Sequence, residues 1–270
     1  MDEIAKRLLV ELIDKKLVHR CCQLCIRKDG KYVPYGSAVC LKIGFDYYLL
    51  TNAHVATVYS DSSTDLFVKI NNKGFVNITG DIVVNDFSNR NDDVAFIHLA
   101  EFSINFLLEA YVFIGPDDIA TLDTVNENFK FCALGFQEKD KTSRLKSSAD
   151  LYLSRGAKLS VYKKYHYNEN DFIIIDLGGR SSDIVSGQKA KINTHFYGMS
   201  GGALYLIYYT ENPLTFELEI NFKLVGILSE YKNGKYLCLV AIKIQLFLQF
   251  ISKIENKKIF VKAVIQKSVI

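Results

Sequence analysis

No apolar run in this 270-residue sequence is long enough to cross a membrane: the longest, Leu237 to Ile251, is broken by Lys243, Gln245 and Gln249. It falls short of the about 20 residues that a span requires. Nor is there an excess of charge of one sign. The 33 basic and 30 acidic side chains are intermixed and leave a net +3, too little field to draw a phosphate backbone, so nucleic acid is not an expected partner. The opening MDEIAKRLLVELIDKK scatters acids and lysines among its apolar residues and lacks the h-region of a secretory signal, which makes a cytoplasmic location the expectation. There is no internal repeat and no low-complexity segment.

A dense cysteine framework is also missing. Cys21, Cys22, Cys25, Cys40, Cys132 and Cys238 are spread unevenly over a long chain, a pattern that predicts free thiols. His19, Cys21, Cys22 and Cys25 form half of a finger-like ligand set, but no second Cys or His pair follows at the required spacing. Cys21, Cys25 and Cys40 are therefore read as core residues, and no metal is expected.

What is present is apolar material in short runs. The chain is 49% hydrophobic and 23% charged, enough for a large core. Ile4, Leu8, Leu9, Leu12, Ile13 and Leu17 recur at three- and four-residue spacing, which predicts an amphipathic helix over residues 1–17. From Val18 onward, runs rich in Val, Ile, Tyr and Phe alternate with turn signals such as Asp29-Gly30 and Asn233-Gly234. Six strands are predicted in residues 18–118, among them Tyr32–Ile43, Phe75–Val84 and Val94–Leu99. Six more are predicted in 119–255, among them Asp150–Val161, Ala203–Tyr209 and Lys223–Ser229. A helix over Ile242–Ile254 and a β-prone tail at 256–270 complete the chain. The pattern predicts an all-β protein of two six-stranded antiparallel β-barrels, with an N-terminal and a C-terminal helix.

Three segments carry reactive groups beside apolar strands. Thr51-Asn52-Ala53-His54-Val55 puts a histidine just past the end of a strand. Asp92-Asp93-Val94-Ala95-Phe96 puts carboxylates at the head of another. Gly198-Met199-Ser200-Gly201-Gly202 puts a serine in a glycine-rich turn leading into a third. A serine nucleophile needs a base, a group that fixes the tautomer of that base, and N–H donors aimed at the developing oxyanion. Ser200 is the nucleophile, His54 the base and Asp93 the orienting group, and the backbone N–H groups of Gly198 and Ser200 are the donors.

Through TNAHV, DDVAF and GMSGG, in that order, the chain resembles the trypsin/chymotrypsin-like serine peptidases, the bacterial intracellular, HtrA-like branch in particular, over roughly residues 18–255. The order His, Asp, Ser is the informative part. The G-x-S-x-G of residues 198–202 also fits the nucleophile elbow of α/β-hydrolases, but there the histidine follows the serine, and His19, His54, His98, His166 and His195 all precede Ser200. A subtilisin-like order through Asp46 lacks its strand-helix-strand setting. The resemblance implies a double β-barrel serine endopeptidase working without metal or cofactor on protein or peptide substrates. It implies Asp93 over Asp92 as the acid, because Asp93 abuts Val94-Ala95. It also implies that Ser229, Glu230 and Tyr231 lie on the strand that pairs with substrate backbone, with Ser229 supporting Asp93. Thr194 takes the position at the base of the specificity pocket, with His195 beside it. Met199 stands where digestive members carry the Asp that pairs with a freshly cut N-terminus, so the active state must be set otherwise. The alternative function is a peptide-binding module on the same fold, or a latent effector without constitutive activity. The N-terminal helix and the tail are the segments through which an activator or partner could dock.

Overall fold

The computed structural model describes residues 11–13, 15–61, 65–70, 74–86, 88–123, 128–136, 149–177, 196–211, 218–233 and 236–261. The chain is mostly β and forms two antiparallel sheets. The first contains β1 (Cys21–Lys28), β2 (Lys31–Ile43), β3 (Asp46–Thr51), β4 (Leu66–Ile70), β5 (Gly74–Asn77), β6 (Gly80–Val84) and β7 (Ala95–Leu99), in the order β5-β4-β1-β2-β3-β7-β6. The second is a closed six-stranded barrel of β8 (Lys130–Gly135), β9 (Asp150–Gly156), β10 (Phe172–Asp176), β11 (Ala203–Glu211), β12 (Leu218–Lys232) and β13 (Cys238–Lys243), in the order β10-β13-β12-β11-β8-β9. The chain passes from one to the other between Ile114, which is bonded to Cys40 and Lys42, and Ala120, which donates to Leu224.

The expectation of two closed six-stranded barrels is corrected in the first lobe, where the sheet is a curled seven-stranded half-barrel. The predicted strand over Phe75–Val84 is divided at Ile78-Thr79 into β5 and β6, which lie at opposite edges of the sheet. The break is built from polar contacts outside the ladder. Ile78 N–H donates to Leu66 O, Thr79 N–H donates to the buried Ser103 hydroxyl at 2.7 Å, and Thr79 O accepts from Ala100. Ser103 belongs to a helix, Glu101–Leu108, that falls in a stretch with no predicted element.

Period-two alternation explains why the strands read as near-continuous apolar runs. Ala38, Cys40, Leu49 and Ile97 face a core proper to the first sheet, whereas Val39, Leu41, Leu50 and Phe96 face a larger core shared by both sheets. In the barrel, Phe131, Ala133, Ile173 and Ile175 point inward, and Cys132, Leu134 and Ile174 point to the shared core. Ile13 and Leu17, and Ile244, Phe247, Leu248 and Ile251 of the C-terminal helix Ile244–Glu255, are buried in that shared core. The C-terminal helix is thus found where it was predicted. All six cysteines are buried and free. Two further helices, Ala53–Asp61 and Leu159–Tyr165, were not predicted, and the second ends the strand that was expected to run to Val161. Among the described residues no helix is long and apolar enough to cross a membrane, and no cluster of His, Cys, Asp or Glu could hold a metal ion.

A charged cluster ties the chain after the C-terminal helix to the first sheet. Lys257 Nζ lies 2.7 Å from Asp46 Oδ2 and 3.2 Å from Glu255 Oε2, while His98 lies 3.4 Å from Asp46 and 3.2 Å from Glu255. The hydrogen bond from Lys257 holds the Asp46 carboxyl below its ordinary 3.8, against the opposing effect of desolvation. A depressed folded-state value stabilises the fold above the unfolded value, and the gain is lost as pH falls through the folded one. Asp46 and Lys257 are each about a third exposed, so solvent screening limits the effect. Asp46→Asn is expected to cost up to about 1 kcal/mol at neutral pH and to converge with wild type at an acidic pH where Asp46 is protonated in both the folded and the unfolded chain. Urea unfolding of both proteins at the two pH values checks this.

Candidate active site

The histidine, the carboxylate and the serine predicted from three distant segments line one cleft of about 690 Å³ between the two lobes. The helix Ala53–Asp61, α1 here, brings the histidine there. β3 ends at Thr51, and Asn52 O then accepts the N–H groups of Val55 and Ala56, starting the helix with His54 in its first turn. First-turn N–H groups have no partner inside a helix. That of His54 donates to Asp93 Oδ1 at 2.9 Å, so a carboxylate 39 residues further along acts as the cap.

The same carboxylate orients the ring. His54 Nδ1 is 2.8 Å from Asp93 Oδ2 and 3.0 Å from Oδ1. Asp93 is pinned in turn: Ser229 Oγ donates to Oδ2 at 2.9 Å, and buried Asn52 Nδ2 donates to the Asp93 carbonyl at 3.2 Å. Asp93 is 9% exposed as a residue, whereas the His54 side chain is 43% exposed, leaving the ring edge remote from Asp93 open to the cleft. Asp92 accepts from Asn89 on the surface and takes no part.

The serine turn is held by its neighbours' backbone. Met199, Gly201 and Gly202 donate their N–H groups to Phe196, Leu228 and Met199 respectively. Among the described residues, the N–H groups of Gly198 and Ser200 have no partner. The turn needs left-handed backbone at Gly198 (φ +85°) and Gly201 (φ +86°), a region costly for residues with a Cβ. The Met199 side chain is buried in the barrel core with Phe196, Leu204 and Leu228. Apolar burial therefore fixes the residue that precedes the serine.

Ser200 Oγ donates to the Ser229 carbonyl at 2.8 Å, not to His54. Ser229 thereby touches both the acid, through its hydroxyl, and the serine, through its carbonyl. It sits where the pairing of β12 with β13 shifts register between Leu228 and Glu230, an irregularity that re-aims a side chain. Glu230 and Tyr231 line the same cleft. Thr194 and His195 lie outside the described residues.

Sequence reasoning missed Ser37. Its N–H donates to Ser200 O at 2.8 Å, its hydroxyl donates to Gly198 O at 2.8 Å, and the same hydroxyl accepts from Phe136 N. One first-lobe serine thus clamps the second-lobe turn to both sheets. The only signal in the sequence was Gly36-Ser37 opening the apolar part of β2. Tyr35, Arg90, Phe196 and Tyr197 also line the cleft and were not singled out.

Chemically, the arrangement offers a hydroxyl, an imidazole held by a carboxylate at Nδ1, and beside the hydroxyl two N–H groups that have no partner among the described residues. No protein-family model matches the chain, and no curated protein matches it.

Proposed function

We propose that the protein is a serine endopeptidase of the chymotrypsin type, hydrolysing peptide bonds of cytoplasmic protein or peptide substrates through His54, Asp93 and Ser200. One observation carries the reading: Asp93 binds the imidazole at Nδ1 and also caps the backbone of the same histidine, beside a serine turn in which the N–H groups of Gly198 and Ser200 have no partner among the described residues.

On this reading, a scissile carbonyl enters with its oxygen toward the N–H groups of Gly198 and Ser200. Ser200 Oγ turns from the Ser229 carbonyl to His54 Nε2, loses its proton to it, and forms a bond to the carbonyl carbon. The tetrahedral oxyanion collapses, the C–N bond breaks, and the proton on Nε2 passes to the departing amine. Water then gives a proton to His54 and its oxygen to the acyl carbon, releasing the acid and restoring the serine. Asp93 stays ionised throughout and stabilises the imidazolium.

The second reading, a peptide-binding module, draws on the Ser200 Oγ bond to Ser229 O, which leaves the serine unactivated in the free protein. Intact-mass analysis after treatment with a fluorophosphonate separates the two. The endopeptidase reading expects one adduct per wild-type chain, and none on Ser200→Ala or His54→Ala. A folded wild type that takes no adduct favours the binding module.

A further inference from the structure

β12 changes neighbours beside the serine. Up to Ile227 it is paired with β11, and Leu228 N–H donates to Gly202 O. Beyond that point, Glu230, Tyr231 and Lys232 are paired with Val240, Leu239 and Cys238 of β13 on one side. On the other side no strand is paired with them among the described residues. An unpaired edge of this kind accepts an extended peptide as an added strand. Addition antiparallel to β12, as with its other neighbours, directs the peptide toward Ser229 and Ser200. The peptide residues lying over Glu230–Lys232 then precede the scissile bond, and at about 3.3 Å per residue they precede it by two to four positions.

The charges over that stretch do not balance. Glu230 is satisfied twice, by the hydroxyl of Tyr167 and by the ammonium of Lys232. Arg90 reaches the same place from the first lobe, three residues before Asp93. Its guanidinium lies 5.2 Å from the centroid of the Tyr167 ring and spends one donor on Tyr165 O at 3.4 Å. Lys232 lies 5.5 Å from the same ring. Two cations thus meet one carboxylate, and among the described residues no carboxylate pairs with Arg90. Arg90 is exposed and lines the cleft, and among the described residues its guanidinium makes that one hydrogen bond, leaving the fork that matches a carboxylate.

We infer that Arg90 selects substrates carrying an acidic side chain two to four residues before the scissile bond. The inference rests on the endopeptidase reading. It is tested by taking a sequence cleaved from a mixed decapeptide library, remaking it with Glu, Gln or Lys at each of those three positions, and measuring kcat/KM. Wild type is expected to prefer Glu over Gln by about fivefold at one position. Arg90→Gln is expected to bring that ratio near one, and Arg90→Glu to favour Lys. The ratios are internal to each variant and need no equal turnover between variants; thermal unfolding shows that both are folded. Fluorophosphonate labelling without an acidic bias, or with a bias that survives Arg90→Glu, overturns the role of Arg90 and leaves the endopeptidase reading standing. Absence of labelling in wild type overturns both.

Discussion

Asp93→Asn is expected to lower kcat for peptide hydrolysis by about 10⁴-fold while the protein still folds. The magnitude follows from what the carboxylate holds. An ionised Asp93 only accepts, so it fixes the proton of a neutral His54 on Nδ1 and leaves Nε2 with the lone pair that must take the Ser200 proton. An asparagine in its place can present its NH₂ to Nδ1, which then accepts, and the proton moves to Nε2. The base is then in the wrong tautomer, and no charge faces the imidazolium that forms during the reaction. Asp93 also accepts from His54 N–H and Ser229 Oγ, and an amide that turns its NH₂ to Nδ1 keeps a single acceptor oxygen for these two donors, which now bond different carboxylate oxygens. A loss of about 1–3 kcal/mol in urea unfolding is expected beside the kinetic effect. Stopped assays with a peptide ester and with the fluorophosphonate read the kinetic part. A variant that is acylated at the wild-type rate would remove Asp93 from the mechanism and with it the triad.

How far this was legible in the sequence depends on where each residue's partners lie. His54, Asp93 and Ser200 could be read because each sits next to an apolar strand and their order along the chain carries information of its own. The support of Asp93 by Ser229 was reachable only through resemblance, yet the hydroxyl is found 2.9 Å from the carboxylate. Ser37 was beyond reach, since its contact with Gly198 spans 161 positions and a lone serine in a strand carries no signal of its own. Arg90 was equally silent, because the Tyr167 ring that positions it is contributed by the other lobe.

The misread elements have local causes. The helix Ala53–Asp61 carries Val55, Thr57 and Val58, β-branched residues that disfavour helix. Its start is fixed by Asn52 O and by the distant Asp93 carboxylate, so tertiary structure overrides propensity there. The division of the strand over Phe75–Val84 is likewise imposed from outside, by the Ser103 hydroxyl. Conversely, the strands that read most clearly, such as Cys238–Lys243, are buried on both faces, where the apolar requirement is strongest.

The second large effect concerns the turn itself and holds whatever the chemistry. Gly201→Ala is expected to destabilise the fold by about 3 kcal/mol or more, because two penalties add there. The first is conformational: at φ +86° an L-residue with a Cβ pays about 1–2 kcal/mol. The second is steric. A Cβ at Gly201 would lie 1.9 Å from Ser37 O and 2.4 Å from Thr51 Oγ1, atoms of β2 and β3 that cannot withdraw without opening the first sheet. The turn would have to move instead, taking with it the Ser37 N–H bond to Ser200 O and the Gly201 N–H bond to Leu228 O. Gly30→Ala separates the two penalties: its φ is +74°, but nothing lies within 4 Å of the added carbon. Gly30→Ala is expected to cost about 1 kcal/mol, and the difference between the two variants in urea unfolding measures how tightly the lobes close on the serine turn. Equal costs would mean that the turn yields freely, and that the clamp through Ser37 does not hold Ser200 in place.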